Sequence, residues 1–250
     1  MTLIEALAIF AAGIAAGTVN TVVGSGSLIT FPTLIFFGFP PLVANVSNTV
    51  GLVPGSASGT YGYRRELAGQ RGRAIRLGIA AICGALVGAA LLLALPSSTF
   101  SKVVPFLVLA ASLLMAAQPW LSRFVLRHRP HGAEESPILT ALAFLTAIYG
   151  GYFGAAQSVL FMAFLAVFVP DNLQRLNGLK NLLALCVNAV AAAVFVVVAP
   201  VDWRVAGLIA LGSIIGGQLG AHFGRRLPPQ ALRAGAVLVG LIVSVRLFLG

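Results

Sequence analysis

Apolar residues fall into ten runs along this chain, at about 4–22, 26–37, 42–60, 75–95 and 103–121, and again at about 137–153, 157–169, 178–199, 204–223 and 231–249. Runs near 20 residues match a helix crossing the roughly 30 Å hydrocarbon core of a bilayer, at about 1.5 Å rise per residue. The runs form two groups of five, and the second run of each group is only about 12 or 13 residues long. Such pieces are too short to cross and read as half-helices, which leaves roughly eight full crossings.

Composition agrees with this pattern. Of 250 residues, 59% are apolar and only 9% are charged, with a mean hydropathy of +0.99. So few charges cannot cover a water-soluble fold of this size, and the short connections leave no room for a soluble catalytic domain. The chain reads as an all-α polytopic membrane protein and not as an enzyme. Its first run, MTLIEALAIFAAGIAAG, lacks the basic leader of a signal peptide and has Glu5 as its one early charge, so it reads as a retained first helix.

Charge changes the picture by its placement. Sixteen Lys and Arg against six Asp and Glu give a net +10. In a soluble protein this excess would suggest nucleic acid, but between apolar runs it is a topology signal, and no nucleic-acid partner is expected. Arg64, Arg65, Arg71, Arg73 and Arg76, then Arg123, Arg127 and Arg129, then Arg225, Arg226 and Arg233 mark the cytoplasmic side. Arg175 and Lys180 join them, and only Lys102, Arg204 and Arg246 fall outside. The turns near 38–41, 96–102 and 200–203 are then outside and 170–177 inside, with both termini periplasmic.

For this topology to close, residues 4–37 must start and finish outside while 137–169 start and finish inside. Each is a helix followed by a returning piece. Two inverted repeats are therefore expected, residues 1–122 and 137–250, joined by a cytoplasmic linker at 123–136. Each repeat holds a broken helix hairpin followed by three membrane helices. A shift of 132 positions lays Asn45 on Asn177, Thr49 on Asn181, Gly84 on Gly216, Gly88 on Gly220 and Leu95-Pro96 on Leu227-Pro228, and a shift of 130 lays Gly24 on Gly154. Inverted halves with interrupted helices are the architecture of secondary transporters, with the site at the midplane.

The breaks carry the candidate chemistry. In TVNTVVGSGSLITFP, residues 18–32, Gly24, Ser25, Gly26 and Ser27 unwind the backbone, and the half-helix that follows aims free N–H groups and its positive end at that point. An anion is the natural occupant; tight helix packing or a plain hairpin turn is the alternative. GSGS is not a nucleotide-binding loop, since no Lys-Ser or Lys-Thr follows. In YGGYFGAAQSVLF, residues 149–161, Gly150, Gly151 and Gly154 keep the second break flexible, and Gln157 and Ser158 offer donors to a substrate oxygen.

A polar set follows in each half: Asn45, Ser47, Asn48, Thr49 and Ser56, matched by Asn177, Lys180, Asn181 and Asn188. Asn181 and Asn188 are seven apart and share a helix face, a spacing repeated by Thr49 and Ser56. Amides within a bilayer helix are costly unless paired or functional, and interhelical hydrogen bonding is the alternative. Lys180, one of only two lysines, attracts an anion or else snorkels to the interface. No Asp or Glu lies deep in a run, which argues against a carboxylate proton relay or a cation site and for a substrate-gradient or charge-driven process. Cys83 and Cys186 have no neighbouring Cys or His, so no metal or cofactor is expected. His222 and Arg246 read as interfacial and His128 and His131 as loop residues. Gly84, Gly88, Gly212, Gly216 and Gly220 read as packing positions.

These residues resemble a known family. The run GTVNTVVGSGSLITFPTLIFFGFPPLVANVSNTVGLVPGSASGTYGYRREL resembles the first signature of the TauE/SafE sulfite exporter family, with a glycine-rich break, a following Pro, a Pro-x-x-Ala-Asn stretch and a Ser/Thr-containing helix ending in Tyr and Arg. YGGYFGAAQSVLF followed by NGLKNLLALCVNAVAAAVF resembles the second signature, so the resemblance covers essentially the whole chain. It implies a bacterial inner-membrane transporter of sulfite, sulfoacetate or related organosulfonates. By position, Gly24, Gly26, Asn45, Thr49, Gly154, Lys180, Asn181 and Asn188 fall on the family's motif. Ser25, Ser27, Ala156 and Gln157 stand where the family is usually richer in glycine. The leading expectation is a transporter or facilitator that binds a small anion between the two breaks. The backbone at 24–27 and 155–158 would hold its oxygens, and Asn45, Thr49, Asn181 and Asn188 would complete the cage. Alternatives of other classes are a thiol-disulfide carrier using Cys83 and Cys186 and a non-transporting structural subunit; a homodimer is left open.

Overall fold

A computed structural model describes residues 1–127, 136–223 and 229–249. The expected features at His128, Arg129, His131, Arg225, Arg226, Leu227 and Pro228 lie outside the described residues, as do the side chains of Arg123 and Arg127 and most of the expected linker. The described residues form ten α-helices and no strand: α1 (Leu3–Val22), α2 (Ser27–Phe36), α3 (Pro41–Gly62), α4 (Arg71–Ala94), α5 (Ser97–Arg127), α6 (Pro137–Tyr152), α7 (Gln157–Phe168), α8 (Leu173–Val198), α9 (Trp203–Phe223) and α10 (Pro229–Leu249).

Every expected run is a helix, and the boundaries differ where polar residues begin or end one. α8 starts at Leu173 and not near 178, because Asn172 accepts the Arg175 N–H at 2.9 Å and caps a first turn too polar to register as apolar. α1 opens on a reciprocal cap. Thr2 Oγ1 accepts the Glu5 N–H and Glu5 Oε2 accepts the Thr2 N–H. Six helices, α1, α4, α5, α8, α9 and α10, are long and apolar enough to cross a membrane. This is fewer than the eight crossings expected from the runs. At 22 residues α3 has the length, but its buried Asn45, Ser47, Asn48, Thr49, Ser56 and Thr60 lower its hydropathy, and α6 has only 16 residues. The chain is a multi-pass membrane protein.

Exchanging the first five helices with the last five carries the main contacts onto one another. The packing of α1 on α9 becomes α6 on α4, α2 on α10 becomes α7 on α5, and α3 on α9 becomes α8 on α4. The equivalence reaches single atoms. A Cβ added at Gly84 would lie 2.3 Å from Phe144 O, and one at Gly216 would lie 2.0 Å from Ile14 O. One at Gly88 would lie 2.1 Å from Ile148 O, and one at Gly220 2.9 Å from Thr18 O. Phe144 and Ile148 stand 130 positions after Ile14 and Thr18, the shift that relates Gly154 to Gly24. Association in lipid depends on close backbone approach, and these glycines permit it. Thr18 Oγ1 adds a bond across the same seam, donating to Gly216 O at 3.1 Å as well as to Ile14 O of its own helix at 3.0 Å.

The turns after α3 and α7 lie together at the arginine-rich end. Arg175 Nε is 2.9 Å and Arg73 Nη1 3.5 Å from the Asp171 carboxylate, and Arg175 Nη1 donates to Ala68 O at 3.0 Å. Burial alone would raise the Asp171 pKa. Hydrogen bonds from Arg175 and the Asn172 N–H, the Arg175 charge and the Arg73 contact outweigh it and hold the carboxyl below its ordinary value of 3.8. At the other end, the Asp202 N–H donates to Ser47 Oγ at 2.9 Å and ties the start of α9 to α3.

Two measurements check this packing. In detergent, Gly216→Ala lowers the thermal midpoint by the equivalent of about 1–3 kcal/mol. Gly207→Ala, where an added Cβ meets nothing within 4 Å, leaves it unchanged or raises it by up to about 1 kcal/mol. Because the folded Asp171 pKa is depressed, its stabilisation is present above the ordinary carboxylate value and lost as pH falls through the folded one. Asp171→Asn is therefore less stable than the parent at neutral pH, and acid titration of the two unfolding midpoints shows the difference closing as the pH falls below the ordinary carboxylate range and through the depressed folded value.

Candidate functional site

Beyond the ends of α1 and α6 stand two glycines in the left-handed region, Gly24 at φ +102° and Gly154 at φ +80°. Their N–H groups turn back to Val19 O at 2.8 Å and Tyr149 O at 3.3 Å, closing the helix ends. The second break also holds Ala156 at φ +61°, a conformation that costs an L residue roughly 1–2 kcal/mol. Tyr149 Oη fixes this loop by donating to Ala155 O at 2.6 Å.

The two breaks touch. The Ala156 N–H donates to Ser25 Oγ at 3.1 Å, and a Cβ built on Gly24 would fall 2.6 Å from Ser158 Cβ. Gly24 is thus required both for its φ and for the approach of the second break. The N–H groups of Ser25, Gly26 and Ser27 at the head of α2 find no acceptor among the described residues, and buried Ser158 Oγ has no partner either. Consecutive N–H groups at the positive end of a helix form a nest suited to an anionic oxygen. Gly26 packs so tightly on α1 that its Cβ would lie 2.4 Å from Ala16 O.

Around this contact the polar side chains form ordered chains. Gln157 Nε2 donates to Asn188 Oδ1 at 2.9 Å, and Asn188 Nδ2 donates to Ser56 Oγ at 3.2 Å. Ser56 Oγ also accepts from Asn20 Nδ2 at 3.4 Å. Asn48 Nδ2 donates to Ser27 Oγ at 3.3 Å, and Asn48 Oδ1 accepts from Thr30 Oγ1. Asn45 Nδ2 donates to Tyr152 O, the last carbonyl of α6, at 3.1 Å. Asn177 Nδ2, its equivalent at a shift of 132, donates to Thr21 O near the end of α1 at 3.3 Å.

Lys180 is the one charged side chain fully buried among the described residues. Its Nζ lies 3.4 Å from Asn20 O and 3.3 Å from Thr21 O, and Asn181 Nδ2 donates to Thr21 O at 3.3 Å. A cation here faces the negative end of α1, four residues from the bend at Gly24. Its burial rules out the snorkelling alternative, and two of its three donors are engaged by helix carbonyls. Thr49 Oγ1 likewise donates to Asn45 O of its own helix at 2.9 Å, and the Gln157 amide N–H that was expected to face a substrate faces Asn188.

The structure thus brings Gly24 and Ser25 against Ser158 and Ala156, with Gly154 at the turn of the second break, Gln157 against Asn188, and Gly26 and Ser27 at the head of α2. It places Lys180 and Asn181 on the end of α1, Asn188 in the amide chain and Asn45 on the end of α6. Asn45 Oδ1 and Gln157 Oε1 remain buried and unpartnered. A cavity of about 220 Å³ lies beside Val22 and Val23, bounded by Tyr63, Gln118, Met162 and Asn177, at the end of the bundle where α3 finishes and α8 begins. Sequence reasoning missed Asn20 and Thr21, which meet Ser56 and Lys180, and Tyr149. Asn20 is a lone amide in an otherwise apolar run, and that was its signal; a hydroxyl on Tyr149 gave none.

A model of the family described as "Sulfite exporter TauE/SafE" matches residues 9–247. Three relatives align along nearly their whole length. "Probable membrane transporter protein ORF9" from Sinorhizobium sp is 25% identical over 96% of this chain and 90% of its own length. "Probable membrane transporter protein" from Haemophilus influenzae is 25% identical over 98% and 95%. "Probable membrane transporter protein YfcA" from Escherichia coli K12 is 22% identical over 96% and 88%. No solved structure matches the chain at a significant level.

The contact between the breaks is tested by comparing two glycines of positive φ. Gly24→Ala, with a clash against Ser158 as well as a strained φ, lowers stability by about 2–4 kcal/mol in detergent denaturation. Gly38→Ala, at φ +82° with nothing within 4 Å of the added Cβ, loses only about 1–2 kcal/mol. Equal losses would mean that the breaks do not press on one another.

Proposed function

The chain belongs to the sulfite exporter TauE/SafE family, and from that membership we propose that it carries small sulfur-containing anions such as sulfite, sulfoacetate or a related organosulfonate across the bacterial inner membrane. It is a membrane transporter of the TauE/SafE type and not an enzyme; the substrate, the site and the compartment are the proposal. One observation carries it: the N–H groups of Ser25, Gly26 and Ser27 and buried Ser158 Oγ are without partners among the described residues, beside the contact of the two broken helices. Hydrogen-bond donors with no carboxylate beside them suit an oxyanion, and a low-dielectric setting strengthens each bond.

In this reading the oxygens of the anion bind the nest at the head of α2 and the Ser158 hydroxyl. Lys180 contributes positive charge while anchored on the end of α1, with one donor left over. Asn188 and Gln157 hold each other and position α7, so they act on the site through its second break. The equivalence of the two halves supports an inverted repeat, in which rocking of one half against the other exposes the contact to each side in turn. The cavity beside Val22 and Val23 supports access from the arginine-rich end, which the positive-inside rule assigns to the cytoplasm.

The test is flux from proteoliposomes loaded with sulfite or sulfoacetate. Protein-dependent, saturable efflux is expected, falling by about tenfold or more in Ser158→Ala and in Lys180→Gln, while the Cys83→Ala, Cys186→Ala double variant keeps the parental rate. Both cysteines are free thiols, on α4 and α8. No efflux of either anion above empty liposomes would reject the substrate class. Loss of flux in the cysteine double variant would favour a thiol-disulfide carrier instead.

A further inference from the structure

The two halves differ most where α3 meets α9 and α8 meets α4. On α3, Gly51, Gly55, Gly59 and Gly62 lie so close to α9 that each added Cβ would approach one of its atoms, or Thr21, within 2.7 Å. A shift of 132 places Leu183, Val187, Ala191 and Val194 at the corresponding positions of α8. The glycine register of α3 is thus not repeated on α8, and α8 and α4 meet less extensively than α3 and α9 do. What remains is a groove on the outer surface, made of two adjoining cavities of about 370 and 510 Å³ that share Ile82. It runs from Arg71 past Gly78 and Cys186 to Leu86 and Val197.

We propose that this groove binds one anionic phospholipid, with its phosphate on Arg71 and one acyl chain laid between α4 and α8. Apart from Arg71, the walls are apolar from end to end. From Arg71 to Leu86 the path along α4 is about 22 Å at about 1.5 Å per residue, longer than the roughly 15 Å hydrocarbon depth of one leaflet. Arg71 is the charged residue at the mouth, it is exposed, and it has no side-chain partner among the described residues. Neighbouring Arg73 is held by Asp171 and Gln70, so the charge left for a ligand is that of Arg71. A guanidinium at headgroup level meets phosphate with two parallel N–H bonds. A flexible acyl chain suits an apolar path that ends at one exposed cation. The groove lies outside the contact of the two breaks, so this inference does not depend on which anion is carried.

Native mass spectrometry of the purified full-length protein, titrated with phosphatidylglycerol or phosphatidylcholine, reads the site directly. The parent retains one phosphatidylglycerol per chain in preference to phosphatidylcholine. Arg71→Gln weakens phosphatidylglycerol retention about fivefold and abolishes the preference. Gly78→Phe, placed where an added Cβ meets nothing within 4 Å, fills the groove and removes tight retention of both lipids with the thermal midpoint unchanged. Equal retention of both lipids by the parent and both variants would overturn the proposal. So would a Gly78→Phe variant that loses a dimer while keeping its lipid, since the groove would then belong to a second copy.

Discussion

A helix that ends inside a bilayer leaves backbone carbonyls with no water to meet, and each must find a donor from elsewhere in the protein. This requirement organises the molecule. Asn177, Lys180 and Asn181 converge on the last carbonyls of α1, and Asn45 on that of α6. The polar residues that depress the hydropathy of α3 are those that meet this need or stand beside it. With the ends covered, the two breaks can be pressed together, and the donors at the head of α2 are the ones left over.

Close packing around the breaks is a consequence of small residues placed in register. Gly84 and Gly88 bring α4 onto α6, and Gly216 and Gly220 bring α9 onto α1, so both broken hairpins are gripped in the same way. Where the register of small residues is not repeated, as on α8, the halves differ and a groove opens. The near-symmetry is thus a property of particular side chains, and its failure is as specific as its success.

Much of this was legible in the sequence because apolar runs and glycine breaks report on lipid directly. The ten runs became ten helices, the shifts of 130 and 132 reappeared as matched contacts, and Gly24 and Ser25 of the first break meet Ser158 and Ala156 of the second. The start of α8 was hidden because its first turn, Leu173 to Asn177, is polar. The partners of Lys180 were hidden for another reason: a buried ammonium and a surface one have the same letter, and only the tertiary placement of Asn20 and Thr21 tells them apart. Thr49 sits on the expected face, yet its hydroxyl donates within its own helix, a local bond that spacing cannot distinguish from an outward one.

The covering of the two broken ends also has an order in time. The donors to Thr21 O come from α8, between 156 and 160 residues further along the chain, whereas Asn45, the donor to Tyr152 O, precedes its acceptor by 107. During synthesis from the N-terminus the second break therefore emerges with its partner already made, and the first must wait. Until α8 arrives, the end of α1 needs water, lipid headgroups or the insertion machinery to satisfy it. A nascent chain stopped after α5 would lack these donors, and the end of α1 would be covered only once Lys180 enters beneath a helix made long before it.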